Sequence, residues 1–563
     1  MTTASRGAGK ARKAVLLGIA GSNNAFCLSL YNLKAYAYSD PEIRRTWEIV
    51  VIQHPFINVT QQAEKLPELA DAIVAHSPEL VGFACYMWNV NVLHELAPVL
   101  RRRLRSTKIV WGGPEIATDY LLEGKYDDFE ADFFVSGEGE PTFLELLRNV
   151  TFGTPLLPDI TGLSFRGSGE SSCTVNAKRI PFKSLLEVPS PFMSGVVDDE
   201  VLLRRHVQAN IETQRGCNLR CSYCIYHKDM DRVSYSTVER TLDEVTYVMN
   251  KGVKDVRFVD ANFSSSLDHA KAIMRGLVER KFEARLMCEL IPGFIDEELA
   301  SLFAEFNSLY EWNEITLGVG VQTTNLEVLR RIRRAIRVEK FEQTFDLLQK
   351  YGIYAKIDLI IGLPGEDIGS IEQTLEYMLG TLRGSQSHLL CCHVMRGLPG
   401  TELLEIAKRC GMVFSSKYEP HELIESPALP REHMLKCLRR TAVVFRLINH
   451  RGWANKEFIT GRHSNETNVR DAFFGARDRL GISHVALVDL IIEGLKDHLK
   501  ARDSWFVQPD FPYAETWWWN FSALEVRTEW ILDFLNNLGR DDAGGHSPST
   551  PVLALADAGG RGR

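Results

Sequence analysis

Short apolar runs alternate with amphipathic segments over the first 150 residues of the chain. The runs predict five strands: Ala14 to Ala20, Trp47 to Ile52, Leu80 to Tyr86, Lys108 to Trp111 and Asp132 to Val135. Segments with a helical period lie between or after them: Leu28 to Tyr36, Leu66 to Ala75, Val92 to Leu104 with an interruption at Pro98, and Thr142 to Leu147. Strands that alternate with helices are typical of a doubly wound parallel sheet. Residues 1–150 are therefore predicted to form an α/β domain.

The same alternation returns after residue 205. Residues 151–205 lack a long period and contain turn formers, which predicts a linker with a small strand pair. Six strands are predicted beyond it: Ile211 to Thr213, Val256 to Asp260, Ala284 to Leu290, Ile315 to Gln322, Lys356 to Ile361 and Leu389 to Met395. Helices separate them, so residues 206–401 are predicted to form a partial (β/α)6 barrel. By analogy with complete barrels, its active site is expected at the carboxyl ends of the strands.

The rest of the chain reads as helical. Residues 402–540 predict a helical C-terminal domain, and residues 541–563, rich in Gly, Ser and Pro, predict a disordered tail. The cluster Trp517-Trp518-Trp519 fits core packing or a domain contact as well as a substrate platform. A chain of 563 residues is long enough for two or three domains, each with its own core.

The composition of the chain limits the kinds of partner that it can bind and the cell compartment in which it is expected. Hydrophobic residues make up 45% and charged residues 25%, as in ordinary globular proteins, and the net charge of -8 provides no broad basic field for nucleic acid. No stretch approaches the roughly 20 apolar residues of a membrane span. The cysteines show no framework spacing, which suits a reducing compartment. We therefore expect a cytoplasmic protein that binds neither nucleic acid nor membrane.

Glycines and polar residues gather where the N-terminal strands are predicted to end. In doubly wound sheets ligands bind beyond the carboxyl ends of the strands. These ends carry Gly21-Ser22-Asn23, Tyr86-Met87-Trp88-Asn89, Gly112-Gly113-Pro114-Glu115 and Gly137-Glu138-Gly139-Glu140. Any α/β domain has glycine loops, so a purely structural role for them is equally open.

Three of the 11 cysteines fall within eight positions, at Cys217, Cys221 and Cys224. Three thiolates on one loop fit a metal centre, and no further cysteine follows within about sixty residues. A [4Fe-4S] cluster normally has a protein ligand on each iron, so one iron would stay open. A closed zinc site that includes His227 is an alternative. Three free buried thiols are a further one, which the clustering disfavours.

The cysteine segment resembles the signature of the radical S-adenosylmethionine (SAM) family, including the aromatic Tyr223 before the last cysteine. Further stretches match that family, and they are Phe258 to Phe263, Gly318 to Gln322, Ile360 to Glu366 and Arg396 to Thr401. The resemblance implies that the three cysteines ligate a [4Fe-4S] cluster, and it places a set of residues near SAM, namely Gly318, Gly320 and Gln322.

Four more residues are candidates for contacts at the same site. Glu289 and Asp260 are candidates for polar contacts to SAM or substrate, or for structural pairing with Arg257 or Arg285. Tyr223 and Tyr226 fall where relatives contact the adenine, although loop packing explains both as well. The sequence assigns no general acid or base.

The order of the N-terminal loops resembles the cobalamin-binding domain of many radical SAM enzymes. The resemblance implies cobalamin contacts from a set of loop residues, which are Tyr86, Trp88, Asn89, Gly112, Gly113, Gly137 and Glu138. The Asp-x-His-x-x-Gly motif that supplies a histidine to cobalt is absent, so His54 is not expected to be a ligand. Trp88 or Met87 is expected to shield the lower face of cobalt instead.

Together these resemblances imply a cobalamin-dependent radical SAM methyltransferase of natural-product or antibiotic biosynthesis. Its methyl group would pass from SAM through methylcobalamin to an unactivated carbon or a phosphinate phosphorus of a small-molecule substrate. The phosphinate is preferred because an arginine group is available as an anion clamp, namely Arg330, Arg331, Arg333, Arg334 and Arg337. An external electron donor such as flavodoxin or ferredoxin is expected. The alternatives are a cobalamin-dependent radical SAM cyclase and a non-enzymatic cobalamin or metal-binding sensor.

Overall fold

The fold is taken from a computed structural model of the full chain. The structure describes residues 11–21, 26–57, 59–167, 172–204, 207–228, 230, 232–334, 336–383, 388–415, 421–448, 467–494 and 528–538. Three features of the sequence lie outside these ranges, namely Ser22-Asn23 of the first predicted loop, Trp517-Trp518-Trp519 and the tail 541–563.

A seven-stranded sheet forms the N-terminal part. Its strands are β1 (Arg12–Ile19), β2 (Trp47–His54), β3 (Leu80–Ala84), β4 (Lys108–Gly112), β5 (Phe133–Val135), β6 (Leu163–Arg166) and β7 (Cys173–Val175), in the order β2-β1-β3-β4-β5-β6-β7. The helices are α1 (Leu28–Ala37), α2 (Pro41–Thr46), α3 (Val59–Val74), α4 (Val90–Arg103), α5 (Thr118–Leu122) and α6 (Gly139–Phe152). The first five strands are parallel, which confirms the predicted doubly wound sheet.

Burial on both faces explains why the strands read as unbroken apolar runs. In β1, Val15 and Leu17 belong to one core, whereas Ala14 and Leu16 belong to the core on the opposite face. One expectation was wrong, because helix α4 continues through Pro98 without a break. The strand pair predicted in the linker is β6 and β7, which pair antiparallel. Strand β6 also pairs antiparallel with β5, so the pair extends the N-terminal sheet.

A six-stranded, all-parallel sheet forms the second α/β part. Its strands are β8 (Gln208–Ile211), β11 (Asp255–Phe258), β12 (Arg285–Leu290), β13 (Glu314–Gln322), β14 (Tyr354–Ile361) and β15 (His388–Val394), in the order β15-β14-β13-β12-β11-β8. The helices that precede or connect them are α7 (Asp199–Leu202), α8 (Val238–Asn250), α9 (Leu267–Glu279), α10 (Glu297–Ser308), α11 (Leu326–Arg331), α12 (Val338–Lys350) and α13 (Ile368–Leu382). Short strands β9 (Gln214–Arg215) and β10 (Ser234–Tyr235) bracket the cysteine loop. The predicted partial (β/α)6 barrel is thereby confirmed.

Helices follow the barrel, as predicted. They are α14 (Leu403–Arg409), α15 (Arg431–Ile448), α16 (Thr467–Leu480), α17 (His484–Gly494) and α18 (Thr528–Asn537), and a small hairpin of β16 (Val413–Phe414) and β17 (Leu423–Glu425) lies between the first two. Helices α15, α16, α17 and α18 share the core of the barrel. Within the described ranges, none of the helices is both long and apolar enough to cross a membrane.

The carboxyl ends of the two sheets face each other. The side chain of Asn210, at the end of β8, donates to the carbonyl of Phe26 over 2.6 Å. Arg396, just after β15, donates to the Sδ atom of Met87 over 3.5 Å. The loops that the sequence selects in each half therefore meet at one interface.

Candidate functional site

The cysteine loop begins where Asp260 ends strand β8. The buried carboxylate of Asp260 accepts hydrogen bonds from the backbone N–H of Thr213 over 2.9 Å and of Gln214 over 3.0 Å. The hydroxyl of Thr213 donates to the same carboxylate over 2.7 Å. Strand β8 therefore stops at Ile211 instead of at the predicted Thr213. Asp260 organises the start of the loop and does not pair with Arg257 or Arg285.

Backbone geometry then turns the chain into the cysteines. Gly216 has a φ of 94°, and a Cβ atom there would lie 2.7 Å from the carbonyl oxygen of Arg232. Glycine is therefore required immediately before Cys217. Farther along, the N–H of Ser222 donates to Ile332 O over 3.0 Å, and the N–H of Leu403 donates to Ser222 O over 2.9 Å. The loop is thus held by the barrel from several sides.

A buried arginine lies against the cysteines. Arg334 is 5% exposed and its Nη1 atom lies 3.7 Å from the Sγ of Cys221 and 3.2 Å from the Tyr223 hydroxyl. Its Nη2 atom donates to the carbonyl of Gly320. A fixed cation beside a sulfur atom favours the thiolate form that a metal requires. The donor set therefore fits a cluster bound by Cys217, Cys221 and Cys224.

The histidine of the alternative zinc set is used differently. The Nε2 atom of His227 hydrogen-bonds to the carbonyl of Cys221 over 2.8 Å. Burial, together with the neighbouring Cys221 and Cys217, raises the pKa of the Cys224 thiol to about 12, although Arg334 lowers it. Metal ligation stabilises the thiolate form of such a cysteine. Within the described ranges, no three His, Cys, Asp or Glu side chains are close enough to share one metal ion.

The predicted SAM residues lie on the inner face of the barrel. A Cβ atom at Gly318 would lie 2.1 Å from Oε2 of Glu289, so the carboxylate of Glu289 occupies the space above this glycine. Glu289 also accepts from the Nη2 atom of Arg257 over 3.0 Å, and this is the structural pairing left open by the sequence. Gly320 is equally crowded, since its Cβ would lie 2.5 Å from Nε2 of Gln322. Gln322 has a φ of 71° at a break in the strand register.

The same face carries three charged or polar residues that the sequence analysis missed. Lys356 and Asp358 of β14 form an ion pair at 3.0 Å, with side chains only 7% and 13% exposed. The Nε2 atom of His393 lies 2.9 Å from Oδ1 of Asp358. Burial raises the pKa of Asp358, but Lys356 and His393 outweigh it and hold the pKa below its usual range. Two of them could have been found in the sequence, because Lys356 and Asp358 stand two positions apart in an otherwise apolar strand and therefore point to the same face of the sheet.

Tyr226 lies between the two halves of the site. Its side chain is 50% exposed, and it follows Cys224 by two residues. Although half of the residue's surface is open, the atoms enclosing its hydroxyl raise the pKa to about 12, and the groups near enough to act on it are Arg257, Glu289 and Cys224 of the barrel and Tyr86 of the N-terminal part. These influences place Tyr226 close to both the inner face of the barrel and the N-terminal loops. The hydroxyl of Tyr223, by contrast, accepts a hydrogen bond from Arg334.

The predicted cobalamin loop after β3 is tied to the end of β1. Asn89 is 1% exposed and donates to the carbonyls of Ile19 and Ala84 over 3.2 and 2.9 Å. The indole N–H of Trp88 donates to Ile19 O over 2.9 Å, and its ring stacks on Tyr86 with centroids 4.5 Å apart. Asn89 therefore shapes the loop from within, whereas Met87 reaches the barrel through Arg396.

The remaining cobalamin candidates have different environments. Gly113 has a φ of 111°, and a Cβ there would lie 2.5 Å from Cys85 O, so it serves close backbone packing beside Gly112. Gly137 has a φ of 77°, and a Cβ there would have no atom within 4 Å, so this glycine borders open space. Glu138 is engaged by Arg215 at 2.8 Å. His54 ends β2, and its Nδ1 atom lies 2.7 Å from Pro55 O.

The five arginines of the proposed anion clamp do not converge. Arg330, Arg331, Arg333 and Arg337 are exposed. Arg331 pairs with Glu327 at 2.8 Å and Arg333 with Glu402 at 2.7 Å. Arg334 alone is buried, and it faces the cysteine loop.

Two family profiles match this chain, one over each of its α/β parts. The B12 binding domain matches residues 45–147, and the Radical SAM superfamily matches residues 211–378. The first match covers the sheet with the glycine loops. The second runs from the end of β8 into α13 and includes the cysteine loop.

Two similar curated proteins are named as methyltransferases, and the name of one of them also includes cobalamin and radical SAM. The chain is 27% identical over 362 residues to the cobalamin-dependent radical SAM methyltransferase TokK of Streptomyces tokunonensis, an alignment that covers 62% of this chain and 50% of TokK. It is 26% identical to the 2-(S-pantetheinyl)-carbapenam-3-carboxylate methyltransferase of Streptantibioticus cattleyicolor, again over 62% of this chain and 50% of the relative. The chain thus spans about half the length of these curated relatives.

The fold is also that of a solved structure. The cobalamin-dependent SAM radical enzyme OxsB, with aqua-cobalamin bound, superimposes with a TM-score of 0.64 at 13% identity, covering 94% of this chain and 80% of OxsB. The chain therefore joins a B12-binding domain, the kind of domain that binds cobalamin, to a radical SAM domain, the kind that binds a [4Fe-4S] cluster and SAM.

Proposed function

We propose that this protein is a methyltransferase that moves a methyl group from SAM by way of cobalamin to a small-molecule substrate. One observation carries the proposal: the cysteine loop and the cobalamin loops meet at the facing carboxyl ends of the two sheets. Arg215 contacts Glu138 across this interface, and Arg396 contacts Met87. A substrate bound there would lie within reach of both cofactors, as transfer between them requires.

The residues divide into two groups by the cofactor that they would hold. Cys217, Cys221 and Cys224 would ligate three irons of the cluster, which differs from zinc because each thiolate serves a separate metal. Gly318, Gly320, Gln322 and Glu289 would lie beside SAM. When bound, the cluster and SAM supply a carbon-centred radical, and cobalamin supplies the methyl group.

The cobalamin loops would supply the second group of contacts. Gly137 borders open space, where the backbone can approach a ligand closely, while Gly112 and Gly113 allow the close packing that shapes the neighbouring loop. Tyr86 and Trp88 present a stacked pair of rings at the end of β3. Trp88 or Met87 remains the proposed shield of the lower cobalt face. An absorption spectrum with a protein nitrogen ligand on cobalt would contradict that assignment.

We infer that the methyl acceptor is a carbon atom of a polar small molecule. The inner face of the barrel offers two ion pairs, Arg257 with Glu289 and Lys356 with Asp358, which suit a substrate with charged or hydrogen-bonding groups. The phosphinate preference depended on five arginines, and these do not form a clamp. One relative is named as a methyltransferase of 2-(S-pantetheinyl)-carbapenam-3-carboxylate, which is a polar small molecule.

A radical SAM reaction needs one electron from outside the chain. We propose a small redox protein such as flavodoxin or ferredoxin as the donor, in a cytoplasmic setting. A cyclase without methyl transfer and a non-enzymatic sensor are the alternatives, and product analysis separates them.

The test is anaerobic reconstitution followed by product analysis with methyl-labelled SAM. We expect about four irons and one cobalamin per chain, and label in the organic product. 5′-Deoxyadenosine with an unlabelled product would favour a cyclase, and the absence of turnover with retained cobalamin would favour a sensor. Zinc without iron would refute the cluster assignment. Cys221→Ala should abolish both the cluster and turnover, whereas Cys410→Ala, at a cysteine outside the loop, should keep both.

A further inference from the structure

Arg215 holds three carboxylates at the interface between the two domains. Its Nη1 atom contacts Glu138 at 2.8 Å, and its Nη2 atom contacts Glu140 at 3.0 Å. Its Nε and Nη2 atoms contact Glu212 at 2.9 and 2.8 Å. The side chains of Arg215, Glu138 and Glu140 are 15%, 10% and 8% exposed. We call Arg215, Glu138, Glu140 and Glu212 the clasp.

The clasp links the two loops that would hold the two metal centres. Arg215 precedes Cys217 by two residues, and the rigid turn at Gly216 separates them. Glu138 follows Gly137 at the carboxyl end of β5, and Glu140 lies in the first turn of α6. Arg215 is separated from them by 77 and 75 positions in the chain. A shift of the cobalamin loop would therefore be transmitted to the cysteine loop.

Stability alone does not account for this arrangement. A buried ion pair generally contributes no more than well-packed apolar side chains of similar volume would. Here three carboxylates share one guanidinium, so the cluster carries an excess of negative charge, which the N-terminus of α6 and the backbone N–H of Phe182 offset in part. What such a cluster does provide is directional geometry, because a guanidinium binds carboxylates in a fixed planar fork.

We propose that Arg215 is a positioning residue that fixes the cysteine loop relative to the cobalamin loop and thereby couples the two reactions of SAM. The inference depends on the proposed function. In one reaction SAM gives its methyl group to cobalamin and leaves as S-adenosylhomocysteine. In the other, one electron from the reduced cluster would break the C5′–S bond of SAM, methionine would leave, and the 5′-deoxyadenosyl radical would take a hydrogen atom from the substrate or, where none is present, from solvent components or the protein, to give 5′-deoxyadenosine.

The experiment compares clasp variants with a matched control in the reconstituted holoenzyme. Arg215→Met and the isosteric Glu138→Gln alter the clasp. Arg101→Met removes a similar arginine that holds two carboxylates, Glu130 at 2.8 Å and Asp132 at 2.7 Å, inside the N-terminal domain. The readouts are iron and cobalamin content, the EPR interaction between cob(II)alamin and the reduced cluster, and the ratio of S-adenosylhomocysteine to 5′-deoxyadenosine. SAM and a chemical reductant such as titanium(III) citrate are sufficient, so no substrate is needed.

We expect both clasp variants to retain both cofactors while the EPR interaction weakens or broadens and the product ratio shifts at least threefold. Arg101→Met should match the wild type. A wild-type interaction and ratio in both clasp variants would overturn the proposal. Loss of iron or of cobalamin in Glu138→Gln would also overturn it, since Glu138 would then support the binding of a cofactor and not relative position. If Arg215→Met loses a cofactor, Glu138→Gln decides the question alone.

The failure of this inference can be told apart from the failure of the proposed function. If the protein were not a methyltransferase, the wild type itself would form no S-adenosylhomocysteine. If only the clasp assignment were wrong, the wild type would form both products and the variants would not differ from it.

Discussion

Single atoms decide the shape of the inner face of the barrel. At Gly318 the carboxylate of Glu289 occupies the position of a missing Cβ, and at Gly320 the amide of Gln322 does the same. The two glycines of β13 therefore have a packing role, because the absence of a side chain makes room for polar groups from neighbouring positions. The glycine pattern was visible in the sequence, but the groups that fill the space were not.

Gly318→Ala should lower SAM cleavage by at least tenfold. The added methyl group would stand 2.1 Å from Oε2 of Glu289, so the carboxylate must move away from Arg257 and from the site. Gly380→Ala is the control, since this exposed position in α13 has no atom within 4 Å of the new Cβ. Alanine in the interior of a helix should stabilise by about 0.5–1 kcal/mol. Formation of 5′-deoxyadenosine and the melting temperature measure both effects, and unchanged cleavage in Gly318→Ala would refute this role of Glu289.

A second residue-scale prediction concerns pH. Glu366 is buried after β14 and accepts from the N–H of Gly362 and Leu363 over 2.9 and 3.3 Å, and burial raises its pKa to about 7. The folded protein then binds a proton more tightly than the unfolded chain, so its stability falls as pH rises from about 4.5 to about 7. Glu366→Gln should be more stable relative to the wild type at pH 8 than at pH 5.5, by on the order of 1–3 kcal/mol. Melting temperatures at both pH values check this, and an equal difference at both would contradict it.

At the scale of elements, the ends of the strands shape the candidate metal site more than the strand interiors do. Asp260 follows β11 and links it to the chain that follows β8. Its carboxylate accepts hydrogen bonds from the backbone N–H groups of Thr213 and Gln214. This contact converts the end of a strand into the start of the cysteine loop. The carboxylate of Asp260 therefore has a structural role, because it fixes the start of the loop that carries the proposed cluster ligands.

Asp260→Ala should reduce the iron content of the reconstituted protein by more than half. The change leaves the two N–H groups and the Thr213 hydroxyl without their acceptor, and each buried unsatisfied donor costs about 1–3 kcal/mol. Asp255→Ala, at the other end of β11, removes a carboxylate that pairs with Arg285 at 2.6 Å. That control should keep its iron. Iron and sulfide analysis with circular dichroism decides, and full iron loading in Asp260→Ala would show that the loop forms without this anchor.

For the whole molecule, the sequence predicted what local pattern determines. Five strands of the first sheet follow from apolar runs, whereas β8, β11 and β12 of the second sheet alternate buried and partly exposed residues. The cysteine spacing likewise indicated the metal site. Contacts between distant parts of the chain were not predictable in this way. Two such contacts are the ion pair between Arg215 and Glu138 and the antiparallel pairing of β6 with β5. Both depend on which segments lie close together in three dimensions, and the spacing of apolar residues along the chain carries no information on this.

The left-handed conformation of Gln322 has a consequence for how this barrel tolerates change. A side chain at a φ of 71° carries a steric cost that glycine would avoid, roughly 1–2 kcal/mol. Glycine there would make a sturdier β13, yet it would delete the amide that fills the gap above Gly320. Selection for robustness and selection for turnover would therefore pull this single position in opposite directions.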